Sequence, residues 1–362
     1  MKSKNIGSPY GSPVIGVAGF IIVIAGVIYA KSLITPLLLA FFISVICEQP
    51  ITWLEKKKIP NAIAVVMVLL GVAGLFSGFA FLIGGSLSSF TGNVSRYETA
   101  LTTILKSFIV FLNSKGFSIR ADQVTGFIQP ARILEITAGA VNELLNMMGN
   151  TFLIFLVVLF TLMESGSFTV KVKAVMAGSE RSFDYITTIT KNIRHYLAIK
   201  TFICLLTGIC IYLALLVIGV EYPLLWALIA ALMNYIPNIG SIIAVVPAFL
   251  FALVQTGVGG AFWTLGAFML VNNLLGNFVE PKIMGRGMGL STLVVFLSLL
   301  FWGFILGTVG MFLSVPLTMT IKIILEQNES TRWFAILLGT PAEARIYLQQ
   351  KGNNPAKSQA EG

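Results

Sequence analysis

The chain has 362 residues, 56% of them hydrophobic and only 11% charged, with a formal net charge of +9 and a mean hydropathy of +0.90. Soluble domains carry about 25% charged residues, so a soluble globular class is excluded and a polytopic α-helical membrane protein is predicted. The apolar residues stand in unbroken runs rather than alternating with polar ones, which excludes a transmembrane β-barrel. The basic excess lies mostly in connecting segments, where it sets orientation rather than binding nucleic acid.

Residues 1–13 are polar, contain Pro9 and Pro13, and are expected to be disordered. Residues 14–84 hold three membrane helices. Val14–Ala30 is the first, about 26 Å long at 1.5 Å per residue. It is a membrane helix and not a cleaved leader, because several spans follow it. Leu33–Cys47 is the second, shortened by Pro36, and Ala62–Gly84 is the third, after the Glu55-Lys56-Lys57-Lys58 cluster.

Residues 85–147 differ in kind. Leu101, Ile104, Leu105, Phe108, Ile109 and Leu112 recur at helical spacing, which makes a one-sided amphipathic helix. Lys115-Gly116 ends it, and a second periodic stretch runs through Ile133, Ile136, Val141, Leu144, Leu145 and Met148. This predicts a small helical lobe outside the bilayer, packing on the membrane surface or on a neighbouring copy rather than holding a ligand.

Residues 148–163 form the next membrane helix, and 164–196 return to polar composition as a helical loop. Residues 197–325 are the membrane transport core. It opens with the span Leu197–Val220. The segment 223–256 is apolar on both sides of an Asn234–Ser241 break. Each half has about 14–16 residues, roughly 21–24 Å, too short to cross a 30 Å core upright. A re-entrant hairpin or a broken helix is predicted. Phe262–Val279 is a further span, followed by a charged, glycine-rich knot with Glu280, Lys282, Gly285 and Arg286. The long run 290–325 is interrupted by Gly303, Gly307 and Gly310. The tail 326–362 is polar, and its one apolar patch, Trp333–Leu338, is expected on the membrane surface.

Lys and Arg in the short loops can all lie on one face if 223–256 leaves and returns on the opposite face. The loops at 56–58 and 164–196, the knot and both termini then lie in the cytoplasm, and the 85–147 lobe lies outside. That lobe has five basic residues, but a domain of its length translocates largely regardless of charge.

Broken apolar segments beside polar knots mark where membrane transporters build their binding sites. The solute path is therefore placed at Asn234, Tyr235, Pro237, Asn238, Gly240 and Ser241, with Asn272, Asn273 and Asn277. An amide buried without a partner costs roughly 2–7 kcal/mol. These amides must bond neighbouring helices, freed backbone or a solute, and these alternatives stay open. Pro237 lacks an N–H and disrupts the helix behind it, while Gly240 lets the backbone turn. Glu280, Lys282, Gly285 and Arg286 are candidates for coupling or gating. Glu280 either carries a coupling proton or pairs with Lys282 or Arg286.

His195, the single histidine, is expected to be interfacial and solvated. Cys47, Cys204 and Cys210 have neither metal nor disulfide spacing. No Walker A motif, H-E-x-x-H or G-x-S-x-G occurs. No catalytic residue, metal or cofactor is predicted, and the chain is not expected to be an enzyme.

Four blocks carry a resemblance: P-N-I-G-S at Pro237–Ser241, E-P-K-I-M-G-R at Glu280–Arg286, G-L-S-T-L-V-V-F-L-S-L at Gly289–Leu299 and G-M-F-L-S-V-P-L-T at Gly310–Thr318. Together they resemble the autoinducer-2 exporter family, and more narrowly its TqsA-type members, over nearly the whole chain. One departure is Thr308, where such sequences often have the proline of G-P-V-G. The resemblance implies a bacterial inner-membrane secondary transporter with about eight membrane segments, some re-entrant. It implies export of the quorum-sensing signal autoinducer-2 or, as in other relatives, sodium/proton antiport. It also implies a homo-oligomer, with a pentamer expected. The predicted partners are a small polar solute and the lipid bilayer. A scaffold using the lobe as an interaction surface is the rival from another class.

Overall fold

The computed structural model describes residues 13–92, 94–116, 139, 151–175, 180–237, 239–284 and 289–352. Among them every regular element is helical, and the protein is an all-α polytopic membrane protein. Four helical stretches are long and apolar enough to cross a bilayer: Lys31–Lys56, Thr188–Ile218, Gly240–Met284 and Thr308–Gln327. Shorter apolar helices accompany them.

Helix α1 (Pro13–Tyr29) lies largely exposed beside α2 (Lys31–Lys56). The sequence ends the second span at Cys47, whereas α2 continues to Lys56 through Pro36 and Pro50. Packing explains the difference. Ala40, Cys47 and Ile51 of α2 bury against Ala64, Val65 and Leu69 of α3 (Asn61–Gly92). Val158 and Leu162 of α5 (Thr151–Val175) close the same cluster. Burial along the whole length outweighs the backbone bonds the prolines lack. Between α3 and α5 lies α4 (Val94–Ser114), the amphipathic helix of the lobe. The second periodic stretch, 133–148, lies outside the described residues apart from Gly139.

Helix α6 (Glu180–Ile218) is one rod of 39 residues that absorbs much of the predicted polar loop. Ile193, Tyr196 and Leu197 bury against Phe42 and Val45 of α2, and Arg194 forms an ion pair with Glu48 of α2. Tyr222, at φ 55, turns the chain back into α7 (Pro223–Met233), with Pro223 at the first helical position, where its missing N–H costs nothing.

Helix α7 has only 11 residues, about 16 Å. The chain then leaves the helix at 234–239 and returns as α8 (Gly240–Asn272), which Gly257 (φ 74, ψ −169) divides. At the far end of this hairpin Glu221 N–H donates to Gln255 Oε1 at 2.8 Å. The hairpin thus enters and exits on one face, and neither limb is a complete crossing. Trp226, Ala227 and Ala230 of α7, Ala248 and Phe251 of α8, and Ile203, Ile211 and Leu215 of α6 form the largest core cluster.

Beyond Gly257 the chain stays helical to Met284, long enough at 1.5 Å per residue to cross a 30 Å core. It passes through a π-helical turn at Asn273–Val279 and then α9 (Glu280–Met284). The last pair is α10 (Thr292–Leu306) and α11 (Thr308–Gln327), joined at Gly307 (φ 72, ψ −149). Proline is not needed for that bend, because Gly307 supplies a conformation that L side chains rarely adopt. Helices α12 (Arg332–Leu338) and α13 (Pro341–Gly352) complete the described chain.

The hydrophobic effect does not drive one apolar helix against another in lipid, so close packing must do more of the work. A Cβ on Gly240 would lie 1.7 Å from Met233 O, and one on Gly310 would lie 2.0 Å from Trp302 O. Backbone therefore rests on backbone in both hairpins. Gly310→Ala is expected to lower the detergent unfolding temperature by the equivalent of about 1–3 kcal/mol. Gly266→Ala, whose Cβ would meet nothing within 4 Å, should leave it unchanged or slightly higher. Differential scanning fluorimetry on the purified full chain measures both.

Candidate functional site

In the C-terminal, membrane part of α6 one face is polar where the rest is apolar. Tyr196, Lys200, Cys204 and Thr207 follow one another at spacings of four, four and three, so they share a side. All four are buried, and the outward side carries exposed Phe202, Leu205, Ile209 and Leu213. At 1.5 Å per residue, Thr207 lies about 16 Å and Lys200 about 27 Å from the Ile218 end of α6. The first is near the middle of a 30 Å core and the second near its opposite boundary.

The tip of the α7–α8 hairpin sits on this face. Pro237 lacks an N–H and disfavours helix at the residue before it; α7 ends at Met233, and the tip presents side chains. Asn234 Nδ2 donates to Thr207 Oγ1 at 3.2 Å, and Tyr235 OH donates to Thr201 Oγ1 at 2.8 Å. Thr201 in turn donates to Leu197 O at 2.7 Å. The Tyr235 ring meets Phe312 of α11 edge-on, with centroids 6.2 Å apart. Gly208 lets α7 approach, since its Cβ would lie 2.9 Å from Ala231 Cβ.

Next to Thr201, Lys200 Nζ donates to Glu280 Oε1 at 2.9 Å and Oε2 at 3.1 Å. Side-chain exposure is 5% for Lys200 and 15% for Glu280, and no ion pair among the described residues is more deeply buried. An unpaired charge in this setting is costly, and removing either member would strand the other. The carboxylate has both oxygens engaged by one ammonium group. Protonation of Glu280, or a competing cation, would release that grip.

The predicted residues divide. Asn234 and Tyr235 are half-buried on α6, Pro237 and Ser241 are half-buried at the tip, and Gly240 is buried. Asn272 is half-buried, while Asn273 and Asn277 lie on the outward face of their helix. There Asn277 Nδ2 donates to Asn273 Oδ1 at 2.7 Å, and Asn273 Nδ2 donates to Met269 O at 3.2 Å. These two amides satisfy each other along the π-helical turn. Lys282 is exposed, and Glu280 is held by Lys200, which was not among the partners weighed from sequence, Lys282 and Arg286. Asn238, Gly285 and Arg286 lie outside the described residues. Sequence reasoning missed Lys200, Thr201 and Thr207. The signal was a lysine inside the run 197–220 with a threonine seven residues on, two turns along one face.

A family model described as AI-2E family transporter matches residues 17–329. The chain belongs to the AI-2E transporter family. It is 36% identical over 319 residues to the AI-2 transport protein TqsA of Escherichia coli strain K12, covering 88% of this chain and 92% of that protein. It is also 36% identical over 333 residues to a putative transport protein of Haemophilus influenzae, covering 90% and 95%. It is 31% identical over 322 residues to the putative transport protein YhhT of Escherichia coli strain K12, covering 89% and 92%. In this AI-2E family transporter the hairpin tip, the α6 polar face and the Glu280 carboxylate all fall within the matched residues.

Removing one partner of the buried pair strands the other. Lys200→Met is expected to destabilise the detergent-solubilised protein by about 3–5 kcal/mol. Adding Glu280→Leu should recover most of that loss. Thermal unfolding of both variants tests it, and a double variant no more stable than the single one would show that the pair is not the cause.

Proposed function

We propose that the chain exports a small polar metabolite across the bacterial inner membrane as a secondary transporter, with autoinducer-2 the first candidate. The likeness to the AI-2 transport protein TqsA supports the solute. The observation that carries the reading is the hairpin tip, with Asn234 and Tyr235 held on Thr207 and Thr201 beside the Lys200–Glu280 pair. Irregular backbone at membrane depth is tolerated where it is buried in protein or lines a watered cavity. Amides, hydroxyls and freed main-chain groups suit a small hydroxylated, uncharged or weakly acidic solute.

In this reading the hairpin is the moving part. Its tip is tied to α6 by two neutral hydrogen bonds, each worth about 0.5–1.5 kcal/mol net. Hydroxyls of a solute can replace both. Gly257 and Gly219, at φ 74 and 84, flank the hairpin's ends and are the hinges. Asn272, with Pro237, Asn238, Gly240 and Ser241, remains assigned to the path and its walls, whereas the outward Asn273 and Asn277 are not. Glu280 is the coupling group, with Lys282, Gly285 and Arg286 in the gating knot. The termini and the knot face the cytoplasm, as the basic loops favour. The unit is a homo-oligomer, a pentamer by resemblance, and the outward Asn273–Asn277 pair suits a contact between copies.

The buried carboxylate favours one second reading, sodium/proton antiport. The two differ in what moves. Proteoliposomes loaded with autoinducer-2 should release it with a rate that depends on pH, and Glu280→Gln should flatten that dependence. Unchanged pH dependence would remove Glu280 from coupling. Sodium-dependent proton flux in empty proteoliposomes, with no autoinducer-2 release from loaded ones, would replace export by antiport.

A further inference from the structure

A polar cavity of about 210 Å³ lies on the knot side of the site, lined by Asn192, His195, Tyr196, Met284, Lys322 and Glu343 among others. Two of these residues tie it to the path. Tyr196 is one helical turn before Lys200 on α6, and Met284 is one turn after Glu280. The cavity therefore ends where the buried pair begins. His195, on the α6 surface, lines this cavity beside Tyr196.

The outer wall is closed by charge. Lys322 of α11 is only 6% exposed. Its Nζ donates to Glu343 Oε2 of α13 at 2.7 Å and lies 3.3 Å from Glu326 Oε1. The Glu343 carboxylate is held in a bare-backbone cradle. A Cβ on Gly289 would lie 2.8 Å from Oε1, and one on Gly339 would lie 2.7 Å from Oε2. Ser291 N–H donates to Leu338 O at 3.1 Å, so the end of the knot and the C-terminal segment are joined at this point. Glu343 lies beyond residues 17–329, the part matched by the family model.

We propose that this cavity is the vestibule through which the solute enters from the knot side, and that the Glu343–Lys322 pair is the latch that keeps it shut. The proposal rests on the transport reading for its purpose but not for its test. The latch can open without stranding a charge, because Lys322 keeps Glu326 when Glu343 leaves. A buried charge left with no partner would instead be held closed by its own desolvation cost.

Native Cys204, one turn beyond Lys200, reports on passage from the vestibule past the buried pair towards the hairpin tip. It is 2% exposed and lies two turns beyond Tyr196 on the same face, about 12 Å. The full chain carrying Cys47→Ser and Cys210→Ser is purified in detergent and treated with N-ethylmaleimide, and the mass shift is followed in time. Slow labelling is expected, rising about tenfold in Glu343→Gln, the population shift that loss of one charge-assisted hydrogen bond produces. The charge-swapped variant, Lys322→Glu with Glu326→Lys and Glu343→Lys so that both partners of position 322 change sign, should return it to the slow rate. Unchanged labelling in a Glu343→Gln variant with the parental unfolding temperature overturns the latch. So does fast labelling in the charge-swapped variant, which decides alone if Glu343→Gln does not fold. Faster labelling with no autoinducer-2 release keeps the latch and removes the solute. Unchanged labelling with intact release does the reverse.

Discussion

Lys200 and Glu280 are eighty residues apart in sequence, and neither can be left alone in a bilayer. A charge at such a depth must find a partner, water or a headgroup. This one constraint fixes the register between α6 and the long helix that ends at Met284. It also sets the angular position of α6. With Lys200 turned inward, Thr201 and Thr207 come within reach of the hairpin tip, while Phe202, Leu205 and Ile209 turn outward to lipid. The tip does not position the pair; the pair positions the surface on which the tip rests.

The contacts around the tip differ in strength. Breaking the Lys200–Glu280 contact without replacement would leave two charges buried, whereas parting Asn234 from Thr207 and Tyr235 from Thr201 would expose neutral groups that water or a hydroxylated solute can satisfy. The hairpin limbs are short; towards the tip they approach α6 closely, with Gly208 opposite Ala231, while Trp226 and Phe251 anchor the other end in the core. The π-helical turn at 273–279 widens the helix just before Glu280, in the place where a small rotation would alter how the carboxylate faces its lysine.

Much of this was legible in the residues and some was not. Unbroken apolar runs gave the helical class, because in lipid every backbone group must be satisfied within its own segment. Pro237 and Gly240 announced the hairpin tip, and Gly307 the last bend, because their backbone chemistry is local. Helix lengths were misjudged where tertiary burial overrides a local stop signal, as at Pro50 in α2 and at the polar start of α6. The partner of Glu280 was sought among neighbours in sequence, Lys282 and Arg286, whereas the distance that matters is across helices. The asparagines show the same limit. Asn273 and Asn277 are spaced to bond each other, and spacing alone could not say whether that pair faces inward or outward.

Depth orders the polar groups along α6 into a sequence of decreasing charge. Near the knot, Lys322 stands with two carboxylates beside His195 and Asn192; one turn further comes the single Lys200–Glu280 pair; among the described residues, the hydrogen-bonding side chains that meet the tip there are hydroxyls and an amide, those of Thr201, Tyr235, Thr207 and Asn234. Coulomb interactions strengthen as the surroundings lose water, so a file of full charges continued to the bilayer centre would trap any ion that entered. Neutral hydrogen-bonding groups at that depth replace water's contacts without that penalty. The gradient therefore disfavours a permanently ion-lined channel, and under the proposed export reading it fits a carrier in which charge is exchanged near one boundary while a neutral solute meets the hairpin tip at the centre.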